Sequence, residues 1–181
     1  MAIKSTIYKV SLQISDMDRH YYHEHQLTLA LHPSEQKQRM MVRLLAFARH
    51  AHENLTFTRG LSSDEEPDLW QKELNGDLAL WIELGQVDER RLRKACGRSK
   101  QVIVYSFQHH AATAWWQQQG AKLARLDALS IVQIPDASAA ALAEFAEQRV
   151  LSLQCTIQDG TLWFTDGERT VEVMPQQGIE H

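Results

Sequence analysis

Leu78-Ala79-Leu80-Trp81-Ile82-Glu83-Leu84 is the stretch that decides the fold. A run this apolar, carrying a single charge, predicts a strand covered on both faces, as strands of parallel sheets are. Gly85 ends it. Asp88 follows as a helix cap, and the helix runs to about Arg98 with Leu92, Ala95 and Cys96 turned inward. Val102–Phe107 reads as the next buried strand. Ala111–Gln119 reads as a helix carrying Trp115 and Trp116, closed by Gly120. Ala128–Ile134 is a third strand, and Asp136 caps a helix that turns Leu142, Phe145 and Ala146 to the core. Strand-helix-strand-helix-strand order predicts βαβ units and a sheet that is at least partly parallel.

Working outward, Ile3, Ile7, Val10, Leu12 and Ile14 alternate with polar residues, as do Leu27, Leu29 and Leu31. Together they predict an N-terminal hairpin joined through Asp16, Asp18 and Arg19. Pro33 opens a helix from about Ser34 to His52, with Met41, Leu44, Leu45 and Ala48 at helical spacing. Leu55–Thr58 is a short strand, and Gly60 with Ser62–Glu66 forms a polar loop. At the other end, Leu151–Ile157, Leu162–Thr165 and Thr170–Val173 are joined by Asp159-Gly160 and Asp166-Gly167, dipeptides suited to tight hairpins. The expected fold is therefore α/β: a mixed central sheet flanked by helices, with an N-terminal hairpin and a C-terminal antiparallel meander.

The chain has 181 residues, which predicts one domain over 1–181 with a core large enough to need no staples. A formal net charge of −4 gives no overall attraction to nucleic acid, so contact with it needs a local basic patch. Cys96 and Cys155 have no metal-ligand spacing and read as reduced cytosolic thiols. The N-terminus lacks a signal peptide's continuous apolar run, and no window has the 18 or so uninterrupted apolar residues of a membrane span. A cytoplasmic protein without a membrane partner is expected.

Charge is uneven around the decisive strand. Asp64, Glu65, Glu66, Asp68 and Glu73 precede it, opposed only by Lys72. After it, Arg90, Arg91, Arg93, Lys94, Arg98 and Lys100 outweigh Asp88 and Glu89. Glu83 lies between the blocks, and a carboxylate in so apolar a strand needs a cation, a metal or a hydrogen bond. Arg91, Lys94 and Arg98 are spaced to share one helix face. Two readings follow: a structural ion pair of Glu83 with Arg91 or Lys94, or a Mg²⁺ site of two or three carboxylates with a lysine nearby.

Longer matches accompany these residues. They are Ile7-Tyr8-Lys9, His32-Pro33-Ser34-Glu35, Arg43-Leu44-Leu45-Ala46, Phe57-Thr58-Arg59-Gly60-Leu61 and Asp64-Glu65-Glu66-Pro67. Leu80-Trp81-Ile82-Glu83-Leu84-Gly85, Asp88-Glu89-Arg90-Arg91, Trp115-Trp116 and Thr156-Ile157-Gln158-Asp159-Gly160 continue them. On these the chain resembles the YaeQ family of small bacterial proteins over nearly its whole length. The resemblance implies a variant of the PD-(D/E)XK, or restriction-endonuclease-like, core and hence a Mg²⁺-dependent nuclease-like site. Glu35 is similar to the helix glutamate of that fold, Pro67-Asp68 to its first metal ligand, and Glu83 to its second. Asp64 and Glu66 compete with Asp68 for the first position. The lysine of the pattern is Gly85 here, and Lys94 on the following helix is the residue that would replace it. Under this reading Glu83, Lys94 and Asp68 are catalytic. Glu35, Glu66, Asp68 and Glu83 hold the metal, and Arg90, Arg91 and Arg98 contact nucleic acid. The alternative is a non-catalytic module on a degenerate nuclease fold that binds nucleic acid or protein.

Other features read as structure. His20, His23 and His25 are expected to be solvated in a polar hairpin loop. His109-His110 precede a helix. One of Trp115 and Trp116 packs inward, since adjacent helical positions point about 100° apart. Cys96 reads as a small hydrophobe. Neither a glycine-rich phosphate loop nor a Ser-His-Asp arrangement is found.

Overall fold

Parallel strands separated by about 140 residues organise the first part of the molecule. The computed structural model describes residues 4–60 and 65–178. Its strands make two separate sheets, not the single central sheet expected. The chain divides into two compact units, residues 1–49 with 135–175, and residues 50–134 with 176–181.

In the first unit, β1 (Thr6–Asp16) and β2 (Tyr21–Leu31) form the expected hairpin in unbroken antiparallel register. The buried Asp16 shapes its turn by accepting the N–H groups of Asp18 and Arg19 at 3.0 and 3.1 Å and pairing with Arg19 Nε at 2.7 Å. Strand β8 (Val150–Gln158) adds in parallel to the other side of β1, then β9 (Thr161–Thr165) and β10 (Thr170–Val173) complete the meander. Asp159 and Gly160 take φ of 52° and 78°, the left-handed pair that a two-residue hairpin needs. The Asp18 carboxylate accepts both of their N–H groups, at 2.7 and 2.9 Å, tying the two turns together. Alternation buries Val10, Leu12, Ile14, Leu153, Cys155, Leu162 and Phe164 on one face.

Helix α1 (Lys37–His50) begins three residues later than Ser34, because His32–Glu35 first make a turn in which the Glu35 N–H donates to His32 O at 2.8 Å. Nine consecutive residues, Met40–Ala48, are buried, which marks a core helix. Helix α4 (Asp136–Glu144) has Pro135, not Asp136, at its cap, and ends in a 3-10 turn over Phe145–Glu147. His23 and His25 are residues of β2, not of the loop where they were expected.

The second unit carries a sheet in the order β11-β7-β6-β5-β4-β3. Its strands β5 (Leu78–Leu84), β6 (Ser99–Ser106) and β7 (Leu129–Gln133) are parallel, as expected. Strands β3 (Leu55–Phe57), β4 (Leu69–Lys72) and β11 (Gln176–Gln177) pair antiparallel at the flanks. On one sheet face Trp81, Val102, Val104 and Ile131 pack against Leu92 and Ala95 of α2 (Glu89–Arg98) and Ala112, Trp115 and Leu123 of α3 (His109–Leu123). Each large apolar side chain buried in this way contributes roughly 1.5–3 kcal/mol. No helix among the described residues is long and apolar enough to cross a membrane.

Gly120 does not end α3, which continues to Leu123. The glycine is there because the Trp116 ring lies against it: a β-carbon would stand 2.8 Å from the indole. Two effects therefore oppose each other in Gly120→Ala. Helix propensity gains about 1 kcal/mol, and the clash costs about 1–3 kcal/mol. Urea unfolding is expected to show a net loss of about 1 kcal/mol. In a Trp116→Ala background the same change should stabilise; equal effects in both backgrounds would remove the ring from the explanation.

Candidate functional site

Glu83 owes its surroundings to strand periodicity. It lies two residues beyond Trp81 and so on the same face of β5, the one covered by α2 and α3. It is 3% exposed and pairs in register with Val104. Burial pushes its carboxyl above the ordinary range. The Arg91 guanidinium opposes that shift, and the neighbouring Asp68 charge adds to it.

Arg91 reaches Glu83 because α2 starts at a fixed point. The Asp88 side chain accepts the Arg90 N–H at 3.1 Å, an N-cap that sets the phase of the helix. Arg91 Nε then donates to Glu83 Oε1 at 2.5 Å, and Nη2 donates to the Glu66 carbonyl at 2.8 Å. One turn past Lys94, the Arg98 guanidinium lies 5.2 Å from the Trp81 ring centroid and donates to Glu65 O at 3.4 Å. Two arginines of one helix face thus hold both the sheet and the acidic loop before β4.

Asp68 is 4% exposed and stands beside Glu83. Its N–H donates to Ile82 O at 3.0 Å, and its Oδ2 accepts the Leu84 N–H at 3.3 Å. Its main-chain N–H and its carboxylate thus grip β5 on either side of Glu83. The loop over it is held by the Thr58 hydroxyl, which donates to Pro67 O, and by Gly60. At φ +53°, Gly60 passes so close that a β-carbon would lie 2.9 Å from Asp68 Oδ1. This contact has no signature in the chain, where the glycine reads as a loop residue.

The expected site residues therefore divide. Asp68 and Glu83 come together, with Arg91 as the charge partner of Glu83. Glu66 turns its carboxylate toward Arg59, with 3.6 Å between Oε2 and Nε, and gives Arg91 only its carbonyl. Glu35 belongs to the other unit, where Arg39 and Arg43 hold it at 2.7 and 3.3 Å. Asp64 lies outside the described residues. Lys94 is exposed and makes no hydrogen bond or ion pair among the described residues; Arg90 is exposed as well. Gly85 takes φ +92°, a conformation that a lysine there would adopt only under strain.

Among the described residues no group of three or more His, Cys, Asp and Glu side chains is placed to hold a metal ion. Asp68 and Glu83 alone make a two-carboxylate set, and one oxygen of Glu83 already has Arg91. A Mg²⁺ ion, which keeps several waters and takes few protein oxygens, would share Glu83 with that guanidinium, approaching through the other carboxylate oxygen. The other oxygen, Glu83 Oε2, and the Trp81 indole N–H are both buried and complete no hydrogen bond of ordinary geometry among the described residues, yet the nearby indole helps to draw the Glu83 carboxyl down.

A family model described as "YaeQ protein" matches residues 1–175. Similar chains include the "Uncharacterized protein YaeQ" of Salmonella typhi, 45% identical over 173 residues, covering 96% of this chain and 95% of that one. That of Escherichia coli K12 is 44% identical with the same coverage. Among solved structures, YaeQ from Xanthomonas axonopodis pv. citri matches with a TM-score of 0.90 and 43% identity, over 96% of this chain and 97% of its own. YaeQ from Pseudomonas syringae matches with a TM-score of 0.91 and 34% identity, over 98% and 97%.

The pair is asymmetric in exposure, with side chains 29% exposed at Arg91 and 4% at Glu83. An orphaned guanidinium can rehydrate, whereas an orphaned carboxylate cannot. Arg91→Met is therefore expected to cost about 3 kcal/mol and Glu83→Gln about 1 kcal/mol in urea unfolding at pH 7. Equal losses would refute the asymmetry. Because the folded Glu83 carboxyl titrates above the unfolded one, folding takes up a proton between the two values. Its contribution to stability falls as pH rises through that window, so the stability difference between wild type and Glu83→Gln should shrink from pH 4 upward. A difference independent of pH would rule out the shift.

Proposed function

The chain belongs to the YaeQ family, and we propose that it is a non-catalytic module that binds the phosphate backbone of nucleic acid through α2. In this reading its core is a nuclease-like one in which Arg91 has taken the place of the metal. The observation that carries the reading is the 2.5 Å contact of Arg91 with Glu83, fixed at its other end on Glu66 O. A bare Asp68–Glu83 pair would repel a phosphodiester. With Arg91 in place one of the two charges is compensated, and an anionic backbone can approach.

The rest of α2 fits that role. Between Asp88 and Lys100 there are six basic residues against two acidic ones. Arg93 is spent on Glu89 at 3.3 Å and Lys100 on Glu73 at 2.8 Å. Arg90 and Lys94, four residues apart on one side of the helix, are the exposed cations that remain for phosphate contacts. Contacts of this kind position a backbone and carry no base sequence, so binding without sequence preference is expected.

Fluorescence anisotropy with labelled duplex and single-stranded oligonucleotides tests the reading. Log affinity should fall with log salt with a slope of about −2, as two phosphate contacts require. Arg90→Glu with Lys94→Glu should weaken binding at least tenfold in low salt, and the oligonucleotide should stay intact with Mg²⁺ or Mn²⁺. Binding that ignores salt would defeat the proposal. Cleavage that depends on Mg²⁺ and is lost in Glu83→Gln would replace it with the nuclease reading.

A further inference from the structure

Strand β2 is the edge of its sheet, and the direction of its backbone groups follows from the hydrogen bonds of β1. The Lys9 N–H donates to Arg149 O and the Met17 N–H to Ile157 O. Odd-numbered residues of β1 therefore face β8, and even-numbered ones face β2. With Leu12 opposite His25 and Ile14 opposite His23, the odd-numbered residues of β2 turn inward to β1. The N–H and C=O groups of Tyr22, Glu24, Gln26, Thr28 and Ala30 point to the open side.

Arg43 Nη2 donates to Ala30 O at 3.0 Å and closes that end. Tyr22, Glu24, Gln26 and Thr28 are all exposed, and their outward backbone groups have no partner among the described residues. An open edge of this length is unusual. Protective devices are short strands, lysines, prolines and bulges. The other edge strands here are short: four residues in β10, three in β3 and two in β11. Strand β2 has eleven residues, an unbroken register, and neither proline nor lysine nor arginine.

We propose that the β2 edge pairs with the β2 edge of a second copy of this chain, antiparallel about a twofold axis through His25. The four open residues are symmetric about that position, so Tyr22 meets Thr28 of the second copy and Glu24 meets Gln26. This register satisfies the backbone groups of all four residues at once and stops where Arg43 already closes the strand. It also separates like charges. Glu24, the one charged side chain among the outward residues, faces an amide and not its own copy. Lys9, whose Nζ donates to Thr28 Oγ1 at 2.9 Å, adds a cation on the same face of each sheet. The surface is self-complementary, as a closed dimer requires, and does not depend on the proposed role of α2.

Sedimentation equilibrium over a wide concentration series reads the association. Wild type should rise toward twice the 20.8 kDa chain mass. Gln26→Pro removes an N–H that makes no bond within the chain, so it should keep the wild-type far-UV circular dichroism and hold the single-chain mass. Should that variant unfold, Glu24→Lys with Gln26→Lys sets four like charges about the axis without touching the backbone, and it should also be monomeric. His25→Cys in a Cys96→Ser background should oxidise to a covalent dimer, because non-hydrogen-bonded partners lie about 4.5 Å apart at Cα. Wild type remaining at the chain mass, a folded edge variant that still associates, or a cross-link mapping away from position 25 would each overturn the proposal.

Discussion

A carboxylate on the covered face of β5 sets a condition that several other parts of the second unit exist to meet. Glu83 is surrounded by Trp81, Val104 and the helices, and its ionised form is stable there only with a cation at contact distance. That cation is Arg91, which arrives only if α2 starts in the right phase. The phase depends on the Asp88 cap. Arg91 in turn holds Glu66 O, and Arg98 on the same face holds Glu65 O, so the acidic loop is positioned by the ion pair's own helix. Asp68 follows that loop into place beside Leu84. The grouping of acidic residues is thus a consequence of charge compensation as much as a preparation for chemistry.

The same logic underlies the proposed choice of an arginine over a metal. A divalent ion and a guanidinium both satisfy a buried carboxylate, but they leave different groups over. A metal-holding site has open coordination positions and a further donor. Here the second tie of Arg91 to Glu66 O makes it a built part of the wall, and Gly85, at positive φ, supplies no lysine. Desolvation outweighs the arginine, so the pair holds position more than it adds stability.

Much of this was legible in the sequence where local pattern sufficed. The strand Leu78–Leu84, the Asp88 cap and the Asp-Gly meander appear as read, and so does the N-terminal hairpin except that its second strand starts at Tyr21 and takes in His23 and His25, because each is set by residues close in the chain. The Glu83–Arg91 pair was one of the two readings open for that carboxylate. What pattern could not supply was long-range pairing. Strand β8 joins β1 across some 140 residues, and nothing in either strand names the other, so one sheet was expected where there are two. Strand β4 escaped because Leu69 and Trp70 are followed at once by Gln71 and Lys72, too short a pattern to register. Gly120 was misread for a related reason: a helix-ending glycine and one that admits an indole look alike until Trp116 is placed.

The two sheets also differ in how their edges are finished, and the difference has a physical origin. The second sheet tapers, with two- and three-residue strands at its flanks whose few open backbone groups solvent can satisfy. The first sheet ends on an eleven-residue strand because the hairpin is built around a short turn, and antiparallel pairing keeps both strands equally long. Length that serves β1, which must span from β2 to β8, is imposed on β2 without a neighbour to use it. Arg43 answers part of the exposure at Ala30, and the stretch it leaves is symmetric about His25. An edge left over from the needs of the strand beside it is also the surface on which two identical chains fit each other.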